Sequence, residues 1–436
     1  MSIEKVTQAQ AQIEASEGYK TLMSFFDADS FCQIDTFAKS EDTFAEVVAG
    51  FGTVEGMPVY AFAQNSDMCG GAMSKAQAAK LKKLYDLALK TGAPVYGFYD
   101  SKGGRLSEGN AVLSAYGQVL NLASNLSGVV PQVSVILGTC LGTGALNAVQ
   151  SDFVIMSKDS ALSIDVTGEN QSAEYCAEKG IAHIVTDTKE QAIESAKELL
   201  MYLPSNNLNI APQAFENEPE LDGKCICQRV ADAGSVMKLS SDYGKASSIC
   251  LGRIGGTVVG FAGTKGEALD CASANKIARF VRFCDAFSIP VISFVNSPKF
   301  NSIKSAAKVA SAYSEATTVK ISVVTGTAVG AVYVAMAGTG ANTDLTFALD
   351  NAIISPVNVE AAALIMAPEK MAVPVAEQKA AAEAFANESL GAFNAAENSF
   401  IDDIVSEDQL RAKLISALDM LSGKRVPTLA KKHSTI

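Results

Sequence analysis

The sequence predicts two tandem α/β domains of one plan, because a hairpin, a helix–proline–strand unit and a glycine-bearing strand end each occur twice at long range. Its 436 residues, 48% of them hydrophobic, suffice to fill two cores.

The hairpin comes first. Gly52–Ala63 alternates apolar residues on both sides of a turn at Gly56, and Gly252–Ala262 has the same plan. A helix follows in each half. Over Lys80–Lys90, Leu81, Leu84, Leu87 and Ala88 fall on one face, as Ile277, Phe280, Val281 and Cys284 do over Lys276–Asp285. Both helices lead through a proline into a strand, Pro94–Phe98 and Pro290–Phe294. Lys80 and Lys276 are 196 residues apart, as are Pro94 and Pro290. The glycine-bearing strand ends, Val133–Gly142 and Ile321–Gly330, lie 188 residues apart. A segment from about Ser205 to Asp222, rich in Asn, Pro and Glu, reads as the connection. The expected domains are therefore 1–207 and 223–436, with a linker at 208–222.

Composition excludes several function classes. A formal net charge of −12 argues against nucleic-acid or membrane-surface binding, which need a cationic face. The polar N-terminus lacks the basic-then-apolar pattern of a signal peptide, so a cytoplasmic location is expected. The long uncharged stretch Ile321–Ala341 is interrupted by Thr325, Gly326, Thr327 and Gly330, which suits strand, turn and helix better than a membrane span. Of nine cysteines the only close pair is Cys225-x-Cys227, without partners at zinc-ligand spacing, so reduced thiols and no metal are expected. Only His183 and His433 are available to a Ser-His or Cys-His nucleophile, and His183, close to Ile181 and Ile184, reads as a core or edge residue. Such a chain must lean on its backbone for chemistry.

Four strand-to-helix junctions carry small residues: Asp100–Arg105 and Gly138–Ala145 in the first half, Asn296–Phe300 and Gly326–Ala331 in the second. Glycine permits unusual dihedrals and close ligand approach, and a helix N-terminus leaves N–H groups unpaired. Two such junctions facing one point make an oxyanion hole; alternatively the glycines serve only tight packing. Phosphate binding is disfavoured, since neither GxxxxGK[ST] nor a strand-following GxGxxG is present.

Over Asp27–Met366 the chain resembles the carboxyltransferase subunits of biotin-dependent acyl-CoA carboxylases and decarboxylases, of the propionyl-CoA carboxylase beta type. The resemblance rests on Lys90–Val95 followed by Asp100, Ser101 and Gly103, on Tyr202–Asn207, and above all on Arg279–Pro290. It implies two crotonase-like (ClpP/crotonase ββα superhelix) domains related by duplication, with acyl-CoA held mainly by the N-terminal domain and biotin by the C-terminal domain of a neighbouring subunit. It further implies a homo-oligomer, either a dimer or a trimer of dimers. The partners implied are a biotin carboxyl carrier protein and either biotin carboxylase or membrane decarboxylase subunits.

Carried over by position, the first hole would use the N–H groups of Gly103 and Gly104 with Gly142 and Thr143. The second would use Lys299 and Phe300 with Gly330, Ala331 and Val332. Gly70, Gly71 and Ala72 sit where the family approaches CoA, or form a turn into the helix. Arg105 stands beside the first hole as a candidate ligand contact. Lys80, Lys82 and Lys83 read as a solvated helix face or as a lure for CoA phosphates.

The departures from the family are specific. Lys102 and Lys299 stand where it has glycine, at places taken as corresponding in the two halves; they either contact a carboxylate or phosphate or are simply solvated. Val334 replaces an aspartate associated with acyl selection. Thr143-Gly144 and Ala331-Val332 replace Gly-Ala, and the region after Asp159 is short.

The leading expectation is carboxyl transfer between carboxybiotin and an acyl-CoA. The same half-reaction run as decarboxylation for a sodium pump is an alternative, and so are a degenerate, non-catalytic partner and a crotonase-type hydratase or hydrolase. The last needs paired acids, for which only Asp100 and Glu108 are near.

Overall fold

The computed structural model describes residues 2–40, 43–44, 46–165, 171–427 and 435. His433 lies outside them, as do 166–170 in the short region after Asp159. The chain divides into two compact units, Met1–Ala211 and Pro212–Ile436, each with its own sheet and core.

Unit 1 opens with helices α1 (Ser2–Glu14) and α2 (Glu17–Phe25), then strands β1 (Val47–Val54) and β2 (Met57–Gln64) and helix α3 (Lys75–Thr91). β3 (Val95–Ser101), α4 (Ala111–Leu126), β4 (Gln132–Leu141), α5 (Thr143–Val149) and β5 (Phe153–Ser157) follow, and helices α6 (Ala173–Glu178) and α7 (Lys189–Leu200) come after them. β1 and β2 pair antiparallel, and β2 to β5 are parallel neighbours in chain order. Such pairing requires crossovers, which α3 and α4 supply.

Unit 2 repeats this. After a short helix α8 (Ile226–Val230) and strand β6 (Met237–Leu239) come β7 (Ser247–Ile254), β8 (Thr257–Thr264) and α9 (Cys271–Ala286). Then come β9 (Val291–Ser297), α10 (Ile303–Glu315), β10 (Lys320–Val329) and α11 (Ala331–Met336). β7 and β8 are antiparallel, and β8, β9 and β10 are parallel.

Local chemistry explains these elements. Ser74 and Asp270 cap α3 and α9, accepting from the N–H groups of Gln77 and Ser273. Leu81, Leu84 and Ala88 of α3, and Ile277, Phe280, Val281 and Cys284 of α9, are buried as their spacing predicts. Both hairpins turn through two positive-φ residues, Glu55-Gly56 and Gly255-Gly256, the turn whose twist suits paired strands. A carboxylate reaches each turn from outside the hairpin. Asp27 accepts from the N–H groups of Glu55 and Gly56, and Asp232 from those of Gly255 and Gly256.

Residues 212–222, within the expected linker, lie along unit 2. Ala214 N–H donates to the Gly256 carbonyl, Ala233 N–H to that of Glu218, and Arg411 to the Asn217 carbonyl. Among the described residues no helix is long and apolar enough to cross a membrane.

Candidate functional site: paired backbone turns

The first turn grows from the end of β3. The β3–β4 register shifts between Tyr99 and Ser101, and the Asp100 carboxylate accepts the Thr139 N–H at 3.3 Å. Asp100 also lies where a β-carbon on Gly138 would be, 2.3 Å from that position, so glycine is required there. Gly103, at φ 118°, then swings the chain back, and its carbonyl accepts from Met73 N–H at 2.9 Å while Arg105 N–H donates to Met73 at 2.8 Å. These bonds leave the Gly104 N–H with no protein acceptor among the described residues. The Gly103 N–H is spoken for by Ser101 Oγ at 3.3 Å.

The second turn joins β4 to α5. Gly142 (φ 67°, ψ −145°) donates its own N–H to the Ser163 carbonyl at 2.7 Å. Its part is therefore to aim the chain, and the open donors at the start of α5 are Thr143 and Gly144. Tyr116 of α4 ties the two turns together. Its hydroxyl lies 3.7 Å and 3.8 Å from where β-carbons on Gly104 and Gly144 would be. Tyr116 is buried and its hydroxyl is unpartnered. Sequence reasoning named Gly144 only as a departure from the family and missed Tyr116, whose only signal was its helical position over the glycines.

Unit 2 rebuilds the same frame. Asn296 Oδ1 accepts the Thr327 N–H at 3.0 Å, Leu269 N–H donates to the Lys299 carbonyl at 2.9 Å, and Asn301 N–H donates to Leu269 at 2.8 Å. Gly330 (φ 49°) gives its N–H to the Ser355 carbonyl at 2.8 Å. The N–H groups of Lys299, Phe300, Ala331 and Val332 have no protein acceptor among the described residues. By these bonds Lys299 corresponds to Gly103 and Phe300 to Gly104, so Lys102 and Lys299 are one residue out of register rather than equivalent. A one-residue shift is invisible to spacing when both loops contain a lysine.

The remaining candidates divide. Gly70 and Gly71, both at positive φ, form a short turn packed on the first loop. Lys102 N–H donates to the Gly70 carbonyl, and a β-carbon on Gly71 would sit 2.2 Å from the Asp100 carbonyl oxygen. Ala72 follows, buried. The side chains of Lys102 and Lys299 are exposed. Arg105 is engaged internally: its guanidinium meets the fully buried Glu46 carboxylate at 2.7 Å and reaches Cys69 Sγ at 2.9 Å. Glu46 also accepts from Ser74 Oγ, so the pair anchors the start of α3 beside the turn. Val334 lies exposed on α11, while Val332 is buried beneath it.

Lys80 is not on a solvated face. It is 4% exposed, and its ammonium donates to the Val47 carbonyl at 3.0 Å. Lys82 and Lys83 are exposed and paired with Asp86 and Asp35. His183 is buried, with Nδ1 accepting from Val154 N–H. The two acids near the first turn are both occupied, since Glu108 accepts the Lys75 N–H at the start of α3 and Asp100 holds Thr139. Paired acid–base catalysis of the hydratase kind finds no support in that arrangement. Among the described residues no cluster of three or more His, Cys, Asp or Glu side chains could hold a metal ion.

What the arrangement offers chemically is two sets of fixed N–H donors, one in each unit, each able to stabilise an oxyanion. The model of the carboxyl transferase domain matches residues 19–436. The chain is 32% identical to the methylmalonyl-CoA decarboxylase subunit alpha of Veillonella parvula, over 98% of this chain and 94% of that one. It is also 32% identical to the putative propionyl-CoA carboxylase beta chain of Bacillus subtilis (strain 168), over 95% and 92%. The crystal structure of transcarboxylase 12S with hydrolysed methylmalonyl-coenzyme A bound superposes with a TM-score of 0.90 at 30% identity, covering 99% of this chain and 98% of that one.

Proposed function

From the premise that this chain belongs to the carboxyl transferase domain family, we propose that it moves a carboxyl group between biotin on a carrier protein and the α-carbon of an acyl-CoA. The observation that carries this reading is the duplicated set of open donors: Gly104 with Thr143 and Gly144 in one unit, and Lys299 and Phe300 with Ala331 and Val332 in the other. Two carbonyl-like oxygens gain charge in such a transfer, the thioester oxygen of the acyl-CoA and the ureido oxygen of biotin, and the chain has one donor set for each.

In unit 1 the donors would hold the thioester oxygen as the α-carbon loses or gains its carboxyl group. Each such hydrogen bond is typically worth about 3 kcal/mol of transition-state stabilisation where water is excluded. In unit 2 the donors would hold the ureido oxygen. Biotin, when bound, would supply the carboxyl group or accept it and could carry the proton at its ureido nitrogen, since Asp100 and Glu108, the acids near the first turn among the described residues, are both occupied. Gly70 and Gly71 let the neighbouring turn pack against the first loop, and Lys102 and Lys299 are exposed on the two loops.

The direction of transfer belongs to the partners, because one site serves both. The similarity to named decarboxylase alpha subunits keeps the decarboxylating reading open. A homo-oligomer is proposed with it, since the transcarboxylase 12S relative is described as a hexamer. The purified protein, given biotin or a biotinylated carrier and a panel of malonyl-, methylmalonyl- and glutaconyl-CoA, is expected to release carboxyl from one of them in a biotin-dependent manner, read by mass of the acyl-CoA product. Binding of CoA without turnover of any would put the degenerate-partner reading in its place.

A further inference from the structure

Three thiols that carboxyl transfer does not use meet in unit 2. Cys225 caps α8, Cys227 lies within it, and Cys250 is on β7. The sulfurs of Cys225 and Cys227 are 2.8 Å apart. All three line a cavity of about 510 Å³, large enough for a small organic molecule. Lys224, Lys238 and Lys265 stand exposed around it, Lys276 lies in its wall, and no carboxylate lines it.

The fold does not require this cavity. Val47, Val48, Ala49, Asn65 and Lys80 occupy in unit 1 the places of Ser247, Ser248, Ile249, Lys265 and Lys276, and there Ile13, Ile34 and Phe44 leave only about 10 Å³. The space in unit 2 is thus a specific opening, and it carries three thiols and four lysines where its counterpart has Lys80 alone.

We propose that Cys225, Cys227 and Cys250 form a thiol–disulfide exchange site that admits small anionic disulfides through the lysine-ringed cavity. Clustered cations with no opposing carboxylate raise the local concentration of small anions, a selective act on a chain of net charge −12. The surroundings divide the three thiols: burial pushes Cys225 up, the interaction with Cys250 together with burial pushes Cys227 up, and Cys250 alone is drawn toward the thiolate. The interaction with Cys227 pulls the Cys250 thiol below its ordinary value, and Lys238 and Lys276 add to it against the cost of burial.

The reaction balances as follows. A thiolate of the cluster attacks one sulfur of the incoming disulfide, the S–S bond breaks, and one thiolate leaves and takes up a proton from water. Cys227, whose sulfur lies 2.8 Å from that of Cys225 and which lines the cavity with Cys250, then loses its proton and attacks the protein sulfur of the mixed disulfide, expelling the second thiolate. Two protein thiols are oxidised to a disulfide containing Cys227, and the incoming disulfide is reduced to two thiols.

The test uses the whole native protein, with site-resolved rates from quenched peptide mass mapping and exposed Cys32 as the internal reference. Dianionic 5,5′-dithiobis(2-nitrobenzoate) is compared with neutral 2,2′-dithiodipyridine. The cluster is expected to prefer the dianion over the neutral reagent by on the order of tenfold more than Cys32 does. That preference should shrink with added salt and vanish in Lys238→Glu/Lys265→Glu. Cys227→Ser should stop at the mixed disulfide. Absence of reaction at the cluster, a preference equal to that of Cys32, or an unchanged internal disulfide in Cys227→Ser would each overturn the proposal.

Discussion

Gly142 holds φ 67° and ψ −145°, a region open to glycine and costly for any side chain. With its own N–H tied to Ser163, it acts only by directing Thr143 and Gly144. Gly142→Ala is therefore expected to keep the fold, at a cost of about 1–3 kcal/mol, while misaiming both donors. Turnover should fall on the order of 10²–10³-fold, the loss seen when an oxyanion donor is removed, and steady-state kinetics beside a circular dichroism spectrum checks it. Sequence pattern placed this glycine at the turn but assigned it a donor's part. The bond to Ser163 that removes it from that part spans 21 residues and has no local signature.

At the scale of elements, the two hairpins share one device with unequal stakes. Asp27 and Asp232 each clamp the N–H groups of a two-residue turn, but Asp232 is 2% exposed and also pairs with Arg411 at 2.8 Å, itself only 12% exposed. Removing Asp27 loses hydrogen bonds from a half-buried carboxylate, at about 1 kcal/mol. Removing Asp232 leaves a guanidinium nearly buried and short of a partner, so Asp232→Ala should cost on the order of 3 kcal/mol. Thermal melts of the two variants, compared with the parent protein, read the difference; equal shifts would show that Arg411 finds compensation in Glu216. The strands, helices and hairpin turns were legible because each rests on contacts a few residues apart. The clamps were not, because the aspartates lie outside the hairpins they hold, and no period links them.

Across the whole molecule the duplication extends to Lys80, which sequence reading placed on a solvated face, and to its counterpart Lys276. Lys80 and Lys276 stand at matching points of α3 and α9, 4% and 5% exposed, with their ammonium groups on carbonyls of the neighbouring strand. Burial pushes both amines down to about 8 from an ordinary value of 10.5. Between those values the unfolded chain binds a proton that the native chain does not, so stability rises with pH across that window. The gain should be on the order of 2 kcal/mol per lysine between pH 8 and 10. Melting temperatures measured over that range should climb more steeply for the parent than for Lys80→Met, and parallel curves would refute the assignment. A polar letter in an amphipathic helix is read as solvated by default, and only the strand beneath it reveals otherwise.

The open donors of the two turns have a consequence for how this protein can change. They are main-chain atoms, which every residue but proline possesses, so alanine at 143, 299 or 300 would keep its donor in place, whereas at 104 a β-carbon would meet Val112 at 2.5 Å. At those three positions the letter can change without the loss of a donor. A chemist wishing to delete one donor cleanly must exchange an amide for an ester, a substitution the genetic code cannot spell.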